Sequence, residues 1–340
     1  MPANPATSPE ATPEAGPFER LVALVADDLD RVSALIRERM SSEHAPRIPE
    51  ISAHLIEAGG KRLRPILTLA AARLCGYEGA DHVKLAATVE FIHTATLLHD
   101  DVVDESAKRR GRATANILWD NKSSVLVGDY LFARAFQLMV ETGSIRVLGI
   151  LSEASAVIAE GEVLQLITAH DLTTGLDRYD QVIRGKTAAL FAAATEIGAV
   201  VAGRPEPEVE AMRVYGEALG IAFQLADDWL DYGGSSDALG KNTGDDFREG
   251  KVTMPVILAV QRGDAAARAF WKRTIAQGRQ DEGDLEQAMA YLRETGALEA
   301  TRKAAQDEAA RAIAALGAFP DAPVKKALAD IAEFVVARTV

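Results

Sequence analysis

Apolar side chains recur every three or four residues along most of the chain, which is the spacing of one face of an α-helix. Alanine, leucine, glutamate and arginine, all strong helix formers, dominate these stretches. The first stretch carries its apolar positions at Leu21, Leu24, Val25, Leu29, Val32, Leu35 and Ile36. Short breaks with glycine, proline or aspartate separate the stretches, and the alternating pattern of strands between hairpin turns is not found. The sequence therefore predicts an all-α fold with negligible strand content.

One of these stretches differs from the others in being apolar nearly all the way round. It runs from Leu85 to Leu98. A helix of this kind has no polar face to turn to water, so it is buried on every side. We therefore predict a single large helical bundle packed around a central apolar helix.

Length and composition favour one domain over two. The chain has 340 residues, of which 48% are hydrophobic, enough to bury a large core. The first seventeen residues, 1–17, are rich in proline, alanine, threonine and glutamate and lack the apolar and basic regions of a signal peptide. We predict a disordered tail over residues 1–17 and one helical domain over residues 18–340.

Charge and cysteine content exclude several classes of function. The formal net charge of −13 argues against nonspecific binding of nucleic acid. A single cysteine, Cys75, rules out an intrachain disulfide and fits a reducing compartment. Its alanine- and leucine-rich surroundings favour a place in the core over a nucleophilic role. The six histidines show no zinc-binding spacing, and no apolar run is long enough to cross a bilayer. These features predict a soluble, cytoplasmic protein.

An acidic pattern, Asp-Asp-x-x-Asp, closes two of the apolar stretches. Its two copies comprise Asp100, Asp101 and Asp104, and Asp227, Asp228 and Asp231. On a helix these carboxylates share one face, where like charges repel each other and oppose the helix dipole. Each copy alone has a plain alternative as a solvated acidic helix end, but two copies weigh against it. Mg²⁺, which binds one or two carboxylates together with water and phosphate oxygens, would neutralise them. The pair thus predicts a metal-bound diphosphate.

Basic residues cluster between glycines at several points of the chain. Three cations lie in the loop from Gly59 to Pro65, and three more in Lys108–Gly111 after the first acidic motif. A Gly-Lys-Thr sequence at Gly185 interrupts an apolar helix, and further Gly-Lys pairs follow the second motif. Backbone can approach an anion closely at glycine, and arginine forks suit phosphate oxygens. A solvated basic surface is the alternative; together with the acidic motifs, the cations indicate room for two diphosphates.

The chain resembles the trans-polyprenyl diphosphate synthases, most closely the bacterial long-chain branch of octaprenyl, nonaprenyl (solanesyl) and decaprenyl diphosphate synthases. The resemblance rests on five segments in family order: GGKRLRP from Gly59, EFIHTATLLHDDVVDESAKRRG from Glu90, GKTAALF from Gly185, FQLADDWLDY from Phe223 and GKNTGDDFREGKVTMP from Gly240. It implies the all-α isoprenoid synthase fold. It extends from about Phe18 to the end of the chain.

The resemblance also implies roles for individual residues. Asp100 and Asp104 would hold Mg²⁺ on the diphosphate of the allylic substrate, and Asp227, supported by Asp228 and Asp231, would hold a further ion, about three in all. The diphosphate of isopentenyl diphosphate would be bound by Lys61, Arg64, His93 and Arg110. The allylic substrate would be contacted by Arg109, Lys186, Thr187, Gln224 and Lys241. The residues expected to matter most for catalysis are Asp100, Asp104, Asp227, Lys186 and Arg109.

The reaction implied is head-to-tail addition of isopentenyl diphosphate to farnesyl or geranylgeranyl diphosphate, giving a long-chain product for quinone side chains. A homodimer, with at most transient membrane contact, is implied as well. A class I terpene cyclase is one alternative, although it needs no second diphosphate site. A noncatalytic subunit of the same fold is another, although both acidic motifs are intact here.

Product length in this family depends on what blocks a tunnel beside the helix before the first acidic motif. Ala95 and Thr96, about one turn before Asp100, are small, which predicts a long product. Phe132 and Phe136, one turn apart on a later helix, are the candidates for the tunnel floor, with an ordinary core position as the alternative. Eight, nine and ten isoprene units remain open.

Overall fold

The computed structural model describes residues 15–57, 60–109, 111–233 and 243–337, with the side chains of residues 56 and 57 excepted. Helices account for nearly all regular structure in these ranges. In chain order they are α1 Pro17–Leu24, α2 Ala26–Arg39, α3 Arg47–Glu57, α4 Leu63–Leu74, α5 Asp81–Val103, α6 Ala115–Leu118, α7 Asn121–Glu141, α8 Ile145–Thr168, α9 Leu176–Ile183, α10 Ala189–Val201, α11 Glu206–Gly233, α12 Asp245–Arg248, α13 Met254–Arg262, α14 Ala265–Trp271, α15 Asp284–Glu294, α16 Ala297–Ala315 and α17 Pro323–Ala337.

Strand content within the described ranges is one small hairpin. Its strands, β1 Lys108–Arg109 and β2 Arg112–Ala113, pair antiparallel across Gly111, whose φ of 76° suits glycine. The hairpin follows directly after the first acidic motif. The predicted all-α fold is confirmed, with this hairpin as its only addition among the described residues.

The long helix α5 occupies the middle of the bundle, as the sequence predicts. The stretch from Leu85 to Ile92 is buried throughout, and α5 packs against α2, α4 and α7. A second helix, α10, is buried almost as deeply between α4, α8 and α11. Because α5 and α11 end in the two acidic motifs, both motifs lie at the C-terminal ends of long helices of the bundle.

The remaining helices form a second, smaller hydrophobic core. It lies between α9, the C-terminal half of α11 and helices α12–α16, and it centres on Tyr232, Phe247, Phe270 and Trp271. The ring of Phe247 stacks on that of Phe270 at 6.4 Å between centroids. This core supports the segment that follows the second acidic motif.

The start of the domain and its relation to a membrane can be stated only in part. Helix α1 begins at Pro17, a residue suited to a first helical position. Residues 1–14 of the predicted tail lie outside the described residues, so the tail and the single-domain boundaries stay predictions. Over the described ranges, no helix combines the length and hydropathy needed to span a bilayer.

Candidate active site

The first acidic motif lies at the C-terminal end of α5. Asp101 is fully buried, Asp100 is half-buried and Asp104 is exposed. The Nε of Arg109 donates to Oδ1 of Asp101 at 2.8 Å, and the side chain of Asn116 donates to its main-chain oxygen. Asp101 therefore ties the β1–β2 hairpin to the helix end, which brings Arg109 beside the motif.

Asp100 is surrounded by charged side chains. Burial, then the carboxylates of Glu162 and Asp104, raise the pKa of Asp100 to about 7, while Lys186 and Arg109 act in the opposite direction. Three carboxylates and two cations therefore lie close together. They come from α5, α8, the hairpin and the turn before α10. Such crowding favours a bound cation.

Lys186 reaches this cluster from a distorted stretch of helix. Residues Arg184–Ala188 form one π-helical turn between α9 and α10, a feature often found at functional sites. The Nζ of Lys186 lies 2.7 Å from Oε2 of Glu162 on α8. Lys186 and Thr187, which the sequence assigns to substrate binding, therefore project from an irregular turn rather than from a regular helix.

The turn and α8 approach each other through two glycines. A Cβ on Gly161 would lie 2.5 Å from the backbone nitrogen of Lys186, and a Cβ on Gly185 would lie 2.9 Å from the Cα of Gly161. Backbone therefore rests on backbone at this crossing. The close approach is what allows the Lys186–Glu162 ion pair to form.

The second acidic motif lies at the C-terminal end of α11, and its middle carboxylate is deeply buried. Asp228 is 3% exposed; its Oδ2 accepts from the hydroxyl of Tyr179 at 2.5 Å and its Oδ1 from Nε2 of Gln224 at 2.8 Å. The hydroxyl of Thr187 donates to Oε1 of Gln224 at 2.8 Å. Burial, then Asp246, raise the pKa of Asp228 to about 8. These contacts join α9, the π-helical turn and α11.

Asp231, the last residue of the second motif, organises the chain that follows. Its two carboxylate oxygens accept from the backbone N–H groups of Asp245 and Asp246, each at 3.1 Å. These N–H groups open the short helix α12, so Asp231 acts as its cap. Asp228 and Asp231 are thus engaged in holding the protein together, whereas Asp227 is half-buried on the neighbouring face.

Lys251 links the two motifs electrostatically. Its Nζ lies 3.7 Å from Oδ1 of Asp246 and also pairs with Glu249. Burial alone would lower the pKa of Lys251, but the charges of Asp246, Glu249 and Asp104 outweigh it and raise that pKa. Because Asp104 belongs to the first motif and Asp246 is bound by the second, the two motifs face one shared site.

A second cluster of basic side chains lies on α4 and α5. The Nη1 of Arg64 is 3.3 Å from Nε2 of His93, and the guanidinium of Arg64 lies 4.4 Å from the ring centroid of Phe191. Lys61 is placed differently: its ammonium lies over the rings of Phe18 and Phe334, at 5.7 and 5.1 Å. The structure therefore brings together Arg64 and His93, and sets Lys61 against the first and last helices.

Helix α5 exposes one narrow face above its buried part. His93, Thr96, Leu97 and Asp100 are partly accessible at helical spacing, while Ala95 is fully buried on the other side. Thr96, and not Ala95, therefore lies on the face that leads down from the acidic motif.

Phe132 and Phe136, the predicted tunnel floor, share one face of α7 but differ in burial. Phe132 is half-buried, packs against the main hydrophobic core and stacks on the ring of His99 at 6.0 Å. Phe136 is 40% exposed and borders a surface depression with Arg39 and Val140. The tunnel floor therefore stays a prediction.

Two residues predicted for substrate binding, Arg110 and Lys241, lie outside the described residues. Among the residues that are described, no three acidic, histidine or cysteine side chains are placed to hold a metal by themselves. Mg²⁺ takes few protein ligands and completes its shell with water and phosphate. The hard oxygen donors and crowded charge around Asp100 fit that ion.

The sequence pattern of the polyprenyl synthetase family matches residues 45–292, which include both acidic motifs and the cationic segments. The chain belongs to the polyprenyl synthetase family. This polyprenyl synthetase is 46% identical over 321 residues to octaprenyl diphosphate synthase of Escherichia coli (strain K12), covering 94% of this chain and 99% of that protein. It is likewise 46% identical to the all-trans-nonaprenyl-diphosphate synthase (geranyl-diphosphate specific) of Rhodobacter capsulatus, covering 94% of this chain and 97% of that protein.

Solved structures of other polyprenyl synthetases share the fold. A decaprenyl diphosphate synthase from Rhodobacter capsulatus is 66% identical, with a TM-score of 0.93 over 95% of this chain and 99% of that one. A polyprenyl synthase from Caulobacter crescentus, complexed with calcium and isoprenyl diphosphate, is 53% identical, with a TM-score of 0.91 over 97% of this chain and 100% of that one. The resemblance and the isoprenoid synthase fold predicted from the sequence are confirmed.

Two residues of this polyprenyl synthetase's site escaped the sequence analysis. Glu162 and Tyr179 lie in helices without any motif around them, and only their contacts with Lys186 and Asp228 reveal them. Lys251 belongs to one of the Gly-Lys pairs that the sequence shows after the second motif. Its position between the two motifs depends on the fold.

Proposed function

We propose that the chain is a Mg²⁺-dependent trans-prenyltransferase that extends farnesyl or geranylgeranyl diphosphate with isopentenyl diphosphate to a long-chain polyprenyl diphosphate for quinone side chains. The observation that supports this proposal is that basic side chains form two separate clusters, each suited to an anion. One lies between the acidic motifs with Lys186 and Lys251, and the other is the Arg64–His93 pair. A condensation of two diphosphates needs both.

In this proposal Asp100, Asp104 and Asp227 hold the Mg²⁺ ions. Asp228 and Asp231 support them through the contacts with Tyr179, Gln224 and α12. When bound, the ions would draw charge from the allylic C–O bond and help the diphosphate to leave. The raised pKa of Asp100 supports this assignment, because a cation would offset the burial and the repulsion by Glu162 and Asp104 that raise it.

The cations of the chain bind the parts of the two diphosphates that metal does not cover. Lys186, Lys251 and Arg109 are placed for the allylic diphosphate, with Thr187 and Gln224 beside them. Lys241 joins them by resemblance alone. Arg64 and His93 take isopentenyl diphosphate, with Lys61 and, again by resemblance, Arg110.

The bond-forming step follows from these positions. As diphosphate departs, the π electrons of isopentenyl diphosphate attack the allylic carbon, and the leaving diphosphate accepts the proton that is then lost. Fixed cations stabilise the charge that develops on the departing oxygens. The apolar helices beneath the motifs exclude water, which would otherwise quench the cation.

Product analysis tests the proposal. Purified protein is incubated with isopentenyl diphosphate, farnesyl diphosphate and Mg²⁺, with and without a chelator, and the products are measured by mass spectrometry. A ladder of prenyl diphosphates that ends at one long product and needs the metal is the expected result, and it gives the number of isoprene units. Cyclic hydrocarbon would point to a terpene cyclase, and no extension by folded protein would point to a noncatalytic subunit.

Thr96 offers a test of product length. Thr96→Phe places a ring on the accessible face of α5 one turn below Asp100, between Asp100 and His93, so we expect the ladder to end at least two isoprene units earlier. Ala95→Phe puts the same ring into the packed side of α5, where overpacking costs about 1–3 kcal/mol of stability. A shortened ladder from Ala95→Phe but not from Thr96→Phe would reverse our placement of the tunnel.

We also propose a homodimer, formed through the outer face of α6–α8. This face carries most of the large apolar side chains that are exposed among the described residues, at Ile117, Leu118, Val125, Leu126, Phe136, Val140, Ile145, Val163, Leu166 and Ile167. An apolar surface this long on three consecutive helices is typical of an interface between protein subunits. Transient membrane contact and a cytoplasmic location stay proposals, the latter supported by the single buried thiol of Cys75.

Light scattering tests the dimer. We expect the wild-type chain at micromolar concentration to have twice the mass of one chain, and the double variant Leu126→Glu, Val140→Glu to have the mass of one. Both side chains are about two-thirds exposed, at 66% and 65%, so the single chain should still fold. Lys303→Glu on the exposed face of α16 is the matched charge control. A wild-type monomer would refute the interface.

A further inference from the structure

A chain of hydrogen bonds that begins at a residue with no assigned role runs through the second acidic motif. It starts at the hydroxyl of Tyr179 on α9, passes through Asp228 and Gln224 on α11, and reaches the hydroxyl of Thr187 in the π-helical turn. Tyr179 is 6% exposed and Asp228 3% exposed. Three separate elements are therefore joined by side chains of which only Gln224 is partly accessible to water.

Each polar group in this chain has a definite role. Asp228 accepts on both oxygens: the hydroxyl of Tyr179 donates to its Oδ2 and the amide Nε2 of Gln224 donates to its Oδ1. The amide oxygen of Gln224 must then face Thr187, whose hydroxyl donates to it. A flipped amide would set its oxygen against the carboxylate and its NH₂ group against the hydroxyl proton. The carboxylate thus fixes the orientation of Gln224 and of Thr187.

The hydroxyl of Tyr179 stabilises this arrangement from α9. It occupies one oxygen of Asp228 and leaves the other to Gln224. Without that hydroxyl a buried carboxylate oxygen loses its donor, and a buried acceptor without a donor costs about 1–3 kcal/mol. The side chain of Asp228 would rotate towards another donor. The nearest remaining donor is the amide Nε2 of Gln224.

Resting on the proposed function, we propose that Tyr179 is a positioning residue for the allylic substrate, which acts through Asp228 and Gln224 to hold the hydroxyl of Thr187 in place. Tyr179 does not itself touch the substrate. Its effect is therefore confined to the substrate that Thr187 and Gln224 contact. The Arg64–His93 site, on other helices, should not sense it.

The test is Tyr179→Phe, which removes one oxygen atom. We expect kcat/KM for farnesyl diphosphate to fall about tenfold or more, with KM for isopentenyl diphosphate within twofold of wild type. The matched control is Tyr215→Phe on α11. Tyr215 is also fully buried and loses one hydroxyl bond, to the carbonyl oxygen of Leu328 at 2.9 Å, but it lies about 18 Å along the helix from Asp227. We expect it to leave both constants unchanged.

A double-variant cycle separates positioning from mere packing. If Tyr179 acts through Thr187, then adding Tyr179→Phe to Thr187→Val should lower kcat/KM for farnesyl diphosphate by less than twofold further. A full tenfold loss in that background, or a loss no larger than that of Tyr215→Phe, would overturn the proposal. Should Tyr179→Phe fail to fold, Asp228→Asn, which keeps the volume and turns one acceptor into a donor, takes its place in the same cycle.

Failure of the proposed function would be visible separately. Wild-type protein is assayed first, and absence of chain extension refutes the prenyltransferase activity. The positioning role is then decided by calorimetric binding of farnesyl diphosphate to wild type, Tyr179→Phe and Tyr215→Phe. A wild type that extends the chain while Tyr179→Phe matches Tyr215→Phe refutes the positioning role alone.

Discussion

Replacing Asp100 by alanine is expected to lower kcat about 10³-fold or more while leaving the fold intact. Asp100 is the carboxylate on which the charges of Glu162, Asp104, Lys186 and Arg109 converge. In our proposal it holds the metal that assists the leaving diphosphate, and no neighbouring side chain can take over that position. Steady-state rates with farnesyl and isopentenyl diphosphate, at saturating Mg²⁺, measure the effect.

The fold of the Asp100→Ala variant is checked by its melting temperature. We expect that temperature not to fall, because removing one carboxylate relieves repulsion with Glu162 and Asp104. Asp307→Ala on α16 is the control, since Asp307 is 61% exposed and pairs only with the nearby Lys303. Activity of Asp100→Ala within tenfold of wild type would remove Asp100 from the metal site.

Arg64→Gln is expected to raise KM for isopentenyl diphosphate about 100-fold and to leave KM for the allylic substrate unchanged. Arg64 is charged and half-buried, and it is held against His93 and the ring of Phe191, so its guanidinium is already oriented for an anion. Hydrogen bonds to a charged group contribute about 1.5–3 kcal/mol, which corresponds to roughly ten- to hundredfold in affinity. Initial rates with each substrate varied in turn give both constants.

A second arginine on α4 provides the control for Arg64. Arg73 donates from its Nη1 to the backbone oxygen of Leu24 and lies near the other end of the helix. Arg73→Gln should change neither Michaelis constant. Equal increases in both constants for Arg64→Gln would indicate a general loss of structure at the site, and an increase for the allylic substrate alone would exchange the two diphosphate sites.

The sequence was sufficient to predict the architecture because the helix period is local information. The spacing of apolar residues from Leu21 to Ile36 and the uniformly apolar stretch from Leu85 to Leu98 do not depend on what packs against them. The acidic and cationic motifs are also contiguous in the chain. Their order alone was enough to indicate two diphosphates.

Contacts between distant segments could not be predicted in the same way. Nothing near Tyr179 or Glu162 in the sequence indicates that these side chains meet Asp228 and Lys186, 49 and 24 residues away. The different burial of Phe132 and Phe136 could not be predicted for a related reason. Helical spacing shows that two residues share a face, but the packing of α7 against α5 decides whether that face points inward.

Ala95 and Thr96 show the same limit within one turn of helix. Both are small and both precede Asp100, so the sequence treats them alike. Successive residues on a helix differ by about 100° in direction, and only the burial of their neighbours shows which direction is open. Thr96 shares the accessible face with His93 and Leu97, whereas Ala95 is enclosed.

The contact between Gly161 and Gly185 bears on the entropy of substrate binding. Most helix crossings are separated by side chains, which can change rotamer and let the helices shift. Here main chain meets main chain, so the crossing has no rotamers to redistribute. Glu162 follows Gly161 and Lys186 follows Gly185 directly in the chain. The backbone at both residues is therefore rigid as well. A cation anchored in this way has already lost much of the backbone freedom that it would otherwise give up when it closes on a diphosphate, and more of the interaction energy is left for holding the substrate.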